Sequence, residues 1–306
     1  MKRDFISLKD ISTDEFHKLM TLSAEMKLKK GRIWDILNGK TIALIFQKPS
    51  NRTRVSFEVG IRQLGGNCLY LGPEEINLGK REATSDVAKT LSRYLDGIVA
   101  RTFHHDDILE LSKHATVPII NGLSDLYHPC QGLADIFSIQ ERFGQVKGLK
   151  LAYIGDGNNV CHSLMLGCAK VGIDMSVACP VGYEPDEKVV QQAKSFAKDT
   201  ESKITIGQSS SEAAKGAHVI YADVWVSMGQ EAETEERLET FKDYQINAKL
   251  TSLADPDYIF MHCLPAHRDE EVTAEIIDGP HSIIFDQAEN RLHTQKAVLM
   301  FLLGKD

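Results

Sequence analysis

The sequence predicts an α/β fold in two domains, each a parallel sheet flanked by helices, with a terminal helix packing back on the first domain. Two observations carry this expectation. Short apolar runs alternate with amphipathic stretches of helical period, the rhythm of a parallel sheet covered by helices. That rhythm pauses once, at Gly144, and restarts, and 306 residues suffice for roughly two domains with a sizeable core.

The N-terminal segment is helical, with Leu19, Leu22 and Met26 spaced as an apolar stripe. The first strand is expected at Thr41–Phe46, followed by a helix starting near Thr53 with Phe57, Ile61 and Leu64 on one face. Further strands are expected at Asn67–Leu71, 97–100 and 117–120, and helices near Ser85 (Val87, Leu91, Leu95) and Asp106 (Ile108, Leu111). A long helical stretch over 131–142 precedes the pause. The boundary falls there, giving a first domain over 1–140, to which the segment 289–306 returns, and a second over 141–288. Strands of the second domain are expected at Lys150–Ile154, 174–179, 203–206, 218–222, 258–262 and 282–285, with a terminal helix over 291–303. No low-complexity tract or short repeat interrupts the pattern.

Composition narrows the function classes. A net charge of −8 argues against nucleic acid or an anionic membrane as the main partner, since both call for a basic field. No apolar run approaches the roughly 20 residues that span a bilayer, and the first ten residues are too charged for a signal peptide, so a cytoplasmic setting is expected. The six cysteines, Cys68, Cys130, Cys161, Cys168, Cys179 and Cys263, show no C-x-x-C pair. They suggest reduced, mostly buried thiols rather than a disulfide frame or a zinc site.

Ligands of open parallel sheets bind beyond the carboxyl ends of the strands. The loops at those ends carry polar clusters at 50–54, 101–105, 128–131, 156–159, 223–229, 262–268 and 286–291. Ser50-Asn51-Arg52-Thr53-Arg54 puts two guanidinium groups and two hydroxyls between a strand and a helix start. Helix N-termini attract anions and arginine forks grip phosphate oxygens, so this is a candidate phosphate site. The same residues also suit an ordinary capped helix with Ser50 as N-cap.

Other motifs stay open at this level. Gly155-Asp156-Gly157-Asn158-Asn159 follows a strand, but the third glycine of a dinucleotide fingerprint is replaced by Val160. The asparagines could instead bind a carboxylate. His128 either donates to a substrate oxygen or caps a helix. Cys263 ends an apolar strand and is by default an inert thiol unless a base activates it. His104 with His105, and His262 with His267, lack the partners of a recognisable metal set, and no metal is expected. The acidic run 231–239 suits a solvated helix face.

Several of these clusters coincide with one family. Residues 50–54 are similar to the S-T-R-T-R loop of transcarbamoylases. Arg101-Thr102-Phe103, His128-Pro129-Cys130-Gln131, Asp223-Val224-Trp225-Val226-Ser227-Met228-Gly229 and His262-Cys263-Leu264-Pro265 resemble, in order, the other signatures of ornithine carbamoyltransferases. The match to this aspartate/ornithine transcarbamoylase family runs essentially end to end. It implies a homotrimer of two-domain subunits, with a carbamoyl phosphate domain first and an amino-acid domain second, and active sites near subunit interfaces. The implied reaction moves the carbamoyl group from carbamoyl phosphate to the side-chain amine of L-ornithine, giving citrulline and phosphate, without a cofactor, in arginine metabolism.

By matching position, the resemblance implies a phosphate cradle of Ser50, Asn51, Arg52, Thr53 and Arg54. Arg101, His128 and Gln131 would contact the carbamoyl group, and Cys263, Leu264 and Arg291 would complete that site. Asn77 falls where relatives send a polar residue into a neighbouring subunit's phosphate site. Asn159, Asp223, Ser227 and Met228 would hold ornithine, with Arg101, His128 and Cys263 as catalytic groups. Residues 227–229 would form a loop that closes on the amino acid. Asn51 departs from the family's usual Thr, though an amide also donates and accepts hydrogen bonds. The nearest alternative is carbamoyl transfer to another amine, such as putrescine or an acetylated ornithine.

Overall fold

The computed structural model describes residues 2–76, 78–79, 81–227 and 231–304. The chain forms two compact units, Met1–Phe137 with Glu289–Asp306, and Ser138–Ala288.

The first unit opens with α1 (Thr13–Leu28), started by Ser12, whose Oγ accepts from the Glu15 amide while the Glu15 carboxylate accepts from the Ser12 amide. Then follow β1 (Thr41–Phe46), α2 (Asn51–Gln63), β2 (Asn67–Leu71), α3 (Pro73–Ile76), α4 (Thr84–Leu91), β3 (Gly97–Arg101), α5 (His105–His114), β4 (Ile119–Leu123) and α6 (Pro129–Phe143). The strands pair in the order β2-β1-β3-β4, all parallel. β1 and β3 lie inside the sheet with helices over both faces, which is why their sequences are continuous apolar runs rather than alternating ones. Full burial of Ile42, Leu44, Ile45 and Phe46 contributes about 1.5–3 kcal/mol apiece.

β4 lies two to three residues beyond the expected 117–120. Pro118 has no N–H and only accepts, from Ile98. The ladder instead runs on through Asn121 to Leu123, with Gly122 skipped at a bulge between them, although Asn and Gly have low strand propensity. Asn121 is tolerated because its buried amide donates to the Ile6 carbonyl at 3.0 Å, and Phe5 bridges the outer edge at Ile120.

The second unit contains β5 (Lys150–Ile154), α7 (Asn159–Val171), β6 (Asp174–Ala178), α8 (Glu187–Thr200), β7 (Ile204–Gly207), α9 (Ser210–Ala214), β8 (Val219–Ala222), α10 (Thr234–Phe241), α11 (Ala248–Thr251), β9 (Ile259–His262) and α12 (Ala274–Ile277). Its parallel sheet has the order β7-β6-β5-β8-β9. Tyr153 on β5 and Tyr221 on β8 are fully buried and stack at 5.6 Å between ring centres.

Residues 282–285 do not form the sixth strand expected there. Ser282 makes a single bridge to Phe260, and Ile284 already opens α13 (Ile284–Leu303). The apolar triplet at 283–285 is ambiguous between periods. Ile284 and Gln287, one helical turn apart, are buried while Phe285 is exposed. The terminal helix therefore begins seven residues before the expected 291. From Glu289 on it belongs to the first unit, where Lys296 bonds Gln63 of α2 at 2.9 Å and Leu303 packs by Gly97 of β3. Among the described residues no helix is long and apolar enough to cross a membrane.

Candidate active site

Two polar clusters form at strand carboxyl ends, one in each unit. In the first, Ser50 caps α2 by accepting from the Thr53 amide, which places Asn51, Arg52 and Thr53 in the helix's first turn. Arg291 of α13 is buried here. Its guanidinium donates to Thr53 Oγ1 at 3.0 Å and to Gln131 Oε1 at 2.6 Å. Gln131 in turn donates to Asp135 Oδ1, one turn further along α6, at 2.8 Å. Arg101, the last residue of β3, and His128, just ahead of α6, are buried too.

Burial pushes the His128 imidazole well below its ordinary pKa, and the charges of Arg291, Arg101 and Arg52 push it the same way. The ring is therefore a neutral donor amid cations. Cys130 is a structural thiol, raised by burial to about 12, with Sγ 3.5 Å from the Asn121 carbonyl.

Arg54 stands apart from this cluster. It lies on an exposed face of α2, donates to Glu58 Oε1 at 2.7 Å, and its guanidinium sits 3.7 Å from the centre of the Tyr70 ring. Helical geometry explains the separation, because consecutive residues point about 100° apart and Thr53 and Arg54 cannot both face inward. Asn51 is exposed at the helix start. Asn77 lies outside the described residues.

In the second unit the centre is Asp223, at the end of β8. Its Oδ1 accepts from Cys263 Sγ at 2.8 Å and from the Val224 amide at 2.8 Å, and its Oδ2 accepts from Asn158 Nδ2 at 2.7 Å. Asn158 is also the N-cap of α7, its Oδ1 accepting from the Val160 and Cys161 amides and from the buried Tyr153 hydroxyl. Asn159 is the first helical residue, half-buried, as is Ser227. Met228 lies outside the described residues.

Leu264, with φ +58°, turns the chain after β9, and its amide donates to His262 Nδ1 at 2.9 Å. That bond puts the ring proton on Nε2, 3.2 Å from Glu271 Oε1, with both side chains fully buried. Behind Asp223, Arg237 binds Asp156 Oδ2 at 2.9 Å, the Trp225 carbonyl at 3.0 Å and Glu233 at 2.8 Å. Burial raises the Asp156 carboxyl even so.

The glycine motif has a packing role here. A Cβ on Gly157 would meet Pro185 N at 2.2 Å, and Val160 is buried in α7, so the glycine admits a neighbouring backbone rather than a pyrophosphate. Among the described residues one group offers three metal-ligand atoms, His267, Glu270 and Glu271. Its histidine lies 3.7 and 3.8 Å from the carboxylate oxygens, wider than the roughly 3.3 Å between ligands of a tetrahedral zinc.

The structure thus gathers Thr53, Gln131 and Arg291 by direct bonds, with Arg52, Arg101 and His128 beside them, and Asp223 with Cys263. Sequence reading offered Asn158 only as a carboxylate binder, and missed its cap and bond to Asp223, along with Asp135 and the His262–Glu271 pair. An asparagine directly before a helix start signals an N-cap, and Asp135 sits four residues after Gln131 on one helix face, so both left a trace. The burial of Glu271 left none.

Two family models match the chain. One, described as the carbamoyl-P binding domain of aspartate/ornithine carbamoyltransferase, covers residues 3–141, and the other, described as the Asp/Orn binding domain, covers 147–302. Among curated relatives, the ornithine carbamoyltransferase of Bacillus subtilis is 55% identical over 99% of this chain and 94% of its own length. That of Thermococcus kodakarensis is 53% identical, with 99% and 96% covered. The solved structure of ornithine carbamoyltransferase from Pyrococcus furiosus is 51% identical and superposes with a TM-score of 0.96, covering 98% of this chain and 97% of that one.

Proposed function

The chain belongs to the aspartate/ornithine carbamoyltransferase family, and from that premise we propose that it is an ornithine carbamoyltransferase of arginine biosynthesis. It transfers the carbamoyl group of carbamoyl phosphate to the side-chain amine of L-ornithine, giving L-citrulline and phosphate. The observation that carries this reading is identity above half to ornithine carbamoyltransferases along nearly the whole chain.

The first unit holds carbamoyl phosphate. Ser50, Arg52, Thr53 and the backbone amides at the start of α2 receive the phosphate, and Arg101, His128, Gln131 and Arg291 serve the carbamoyl end. The uncharged amine attacks the carbonyl carbon, a C–N bond forms, and the C–O bond to phosphate breaks. Negative charge grows first on the carbonyl oxygen and then on the leaving phosphate. Fixed donors on both lower the barrier, because their dipoles are already oriented when the charge appears. A neutral His128 donates to that oxygen without adding a fourth positive charge to the arginines. Arg54, turned to Glu58 and Tyr70, stays outside this cradle.

The second unit holds ornithine. Asp223 and Ser227 receive the α-amino end, together with Met228, the next residue in sequence, and Asn159 receives the carboxylate. The side-chain amine has a free pKa of roughly 10 and must lose a proton before it attacks. Cys263, bonded to Asp223 and followed by the turn at Leu264, orients that amine. The buried Glu271–His262 pair fixes the turn through the Leu264 amide.

The proposed assembly is a homotrimer in the cytoplasm. Val55, Val59 and Leu69 are exposed on α2 and on β2, the outer strand of its sheet, and apolar side chains beside an open strand edge suit a subunit interface. The substrate assignment is tested with carbamoyl phosphate and a panel of amines. Citrulline formation from L-ornithine is expected to dominate. Good activity with putrescine or acetylornithine and none with L-ornithine would overturn it.

A further inference from the structure

We infer that Gln47, three residues before the phosphate loop, is a positioning residue for carbamoyl phosphate, because its one amide group joins three segments around the arginine cluster. The backbone of Gln47 continues the β1–β3 ladder, its N–H donating to the Arg101 carbonyl at 2.8 Å. The side chain then turns across the strand ends. Its Oε1 accepts from the Phe103 amide at 2.7 Å, and its Nε2 donates to the Leu78 carbonyl at 3.3 Å and to Asp107 Oδ2 at 3.1 Å. Both ends of the amide are therefore used, and each partner sits on a different stretch of chain.

Those stretches matter to the site. Phe103 lies two residues after Arg101, and Asp107 is in the first turn of α5, so two of the bonds fix the exit of β3. Leu78 lies between α3 and α4, so the third bond ties that connection to the end of β1. Gln47 itself leads directly into Pro49 and Ser50, the cap of α2. An apolar side chain of the same size would leave the Phe103 amide and the Leu78 carbonyl without this partner and would release the two loops from α2. A shift of about 1 Å in groups that hold a reacting substrate is enough to cost up to about 100-fold.

This inference rests on the proposed carbamoyl phosphate site, and the test separates the two. Wild-type turnover with carbamoyl phosphate and L-ornithine checks the proposed function first. Gln47→Met, which keeps the volume and loses the hydrogen bonds, and Gln47→Ala are then compared by steady-state kinetics and by calorimetric titration with inorganic phosphate. We expect KM for carbamoyl phosphate and Kd for phosphate to rise about 10-fold, with KM for L-ornithine at saturating carbamoyl phosphate and the melting temperature near wild type. Asp107→Ala is expected to give part of the same defect, and the double variant Gln47→Met with Asp107→Ala no more than Gln47→Met alone, since both remove one shared bond. Folded Gln47 variants with both constants within twofold of wild type, or a double variant whose losses multiply, would overturn the inference. Should the wild type bind phosphate yet transfer no carbamoyl group, the proposed function fails while the titration still decides the role of Gln47.

Discussion

Arg52 and Arg54 are two residues apart in sequence and have different surroundings. Arg52 contributes charge at His128, while Arg54 is turned outward to Glu58 and Tyr70. Arg52→Ala is expected to reduce kcat/KM for carbamoyl phosphate by 100-fold or more, on the scale of losing one transition-state donor. Arg54→Ala should stay within about 10-fold, since an exposed pair is worth little. Steady-state kinetics on both variants checks the ranking, and equal losses would return Arg54 to the cradle. His128 carries a second expectation. Its folded pKa lies well below 6.5, whereas the unfolded chain takes up the proton near 6.5. Below that pH the unfolded state binds more protons, so stability falls as pH drops from about 6.5 toward the folded pKa. His128→Gln should flatten that acid loss, read as the urea midpoint between pH 7 and pH 5.

At the scale of elements, α7 shows how one helix start serves the site. Asn158 closes the first turn with its Oδ1 and holds Asp223 with its Nδ2. Asn158→Ala is expected to cost about 1 kcal/mol of stability through the lost cap and to raise KM for ornithine. Asn158→Ser keeps a capping oxygen but has no amide to hold Asp223, so it should restore much of the stability without restoring ornithine KM. Thermal melts beside kinetics separate the two functions, and a Ser variant with normal KM would show that the contact to Asp223 is idle. α2 follows the same logic at its own N-terminus, with Ser50 as cap and the proposed phosphate donors in the turn it caps.

For the whole molecule, the open edge at β2 and the exposed Val55, Val59 and Leu69 bear on assembly. A charge placed there would have to be buried unpaired in an interface, which is strongly unfavourable. Leu69→Asp is therefore expected to lower the mass measured by light scattering from that of the proposed trimer toward that of a single chain. A trimer that persists unchanged would place the interface elsewhere.

Much of this protein was legible in the order of its residues. Strand-length apolar runs and helical stripes are local signals with a fixed period, so the βα rhythm, the two-part division and nine strands could be read from them. The two places where expectation and structure part are informative in the same way. At 117–120 a proline moved the ladder onto Asn121 and Leu123, and at 282–285 three apolar residues fit two periods until burial chose the helix. The strand-end rule pointed to the loops that bear the two clusters, because a parallel sheet aligns all its carboxyl ends.

What the sequence could not determine is which side chains meet. Arg291 reaches Thr53 and Gln131 across more than a hundred residues of chain, Arg54 turns away from its neighbours, and Glu271 is sealed beneath His262. Long-range contacts of this kind depend on helix rotation and on the packing of distant elements, neither of which is encoded in any local spacing. The sequence by itself determined the architecture and the chemical inventory of the site. The tertiary structure alone decided which donors converge and which supporting groups, Asn158, Asp135 and Gln47 among them, hold them there.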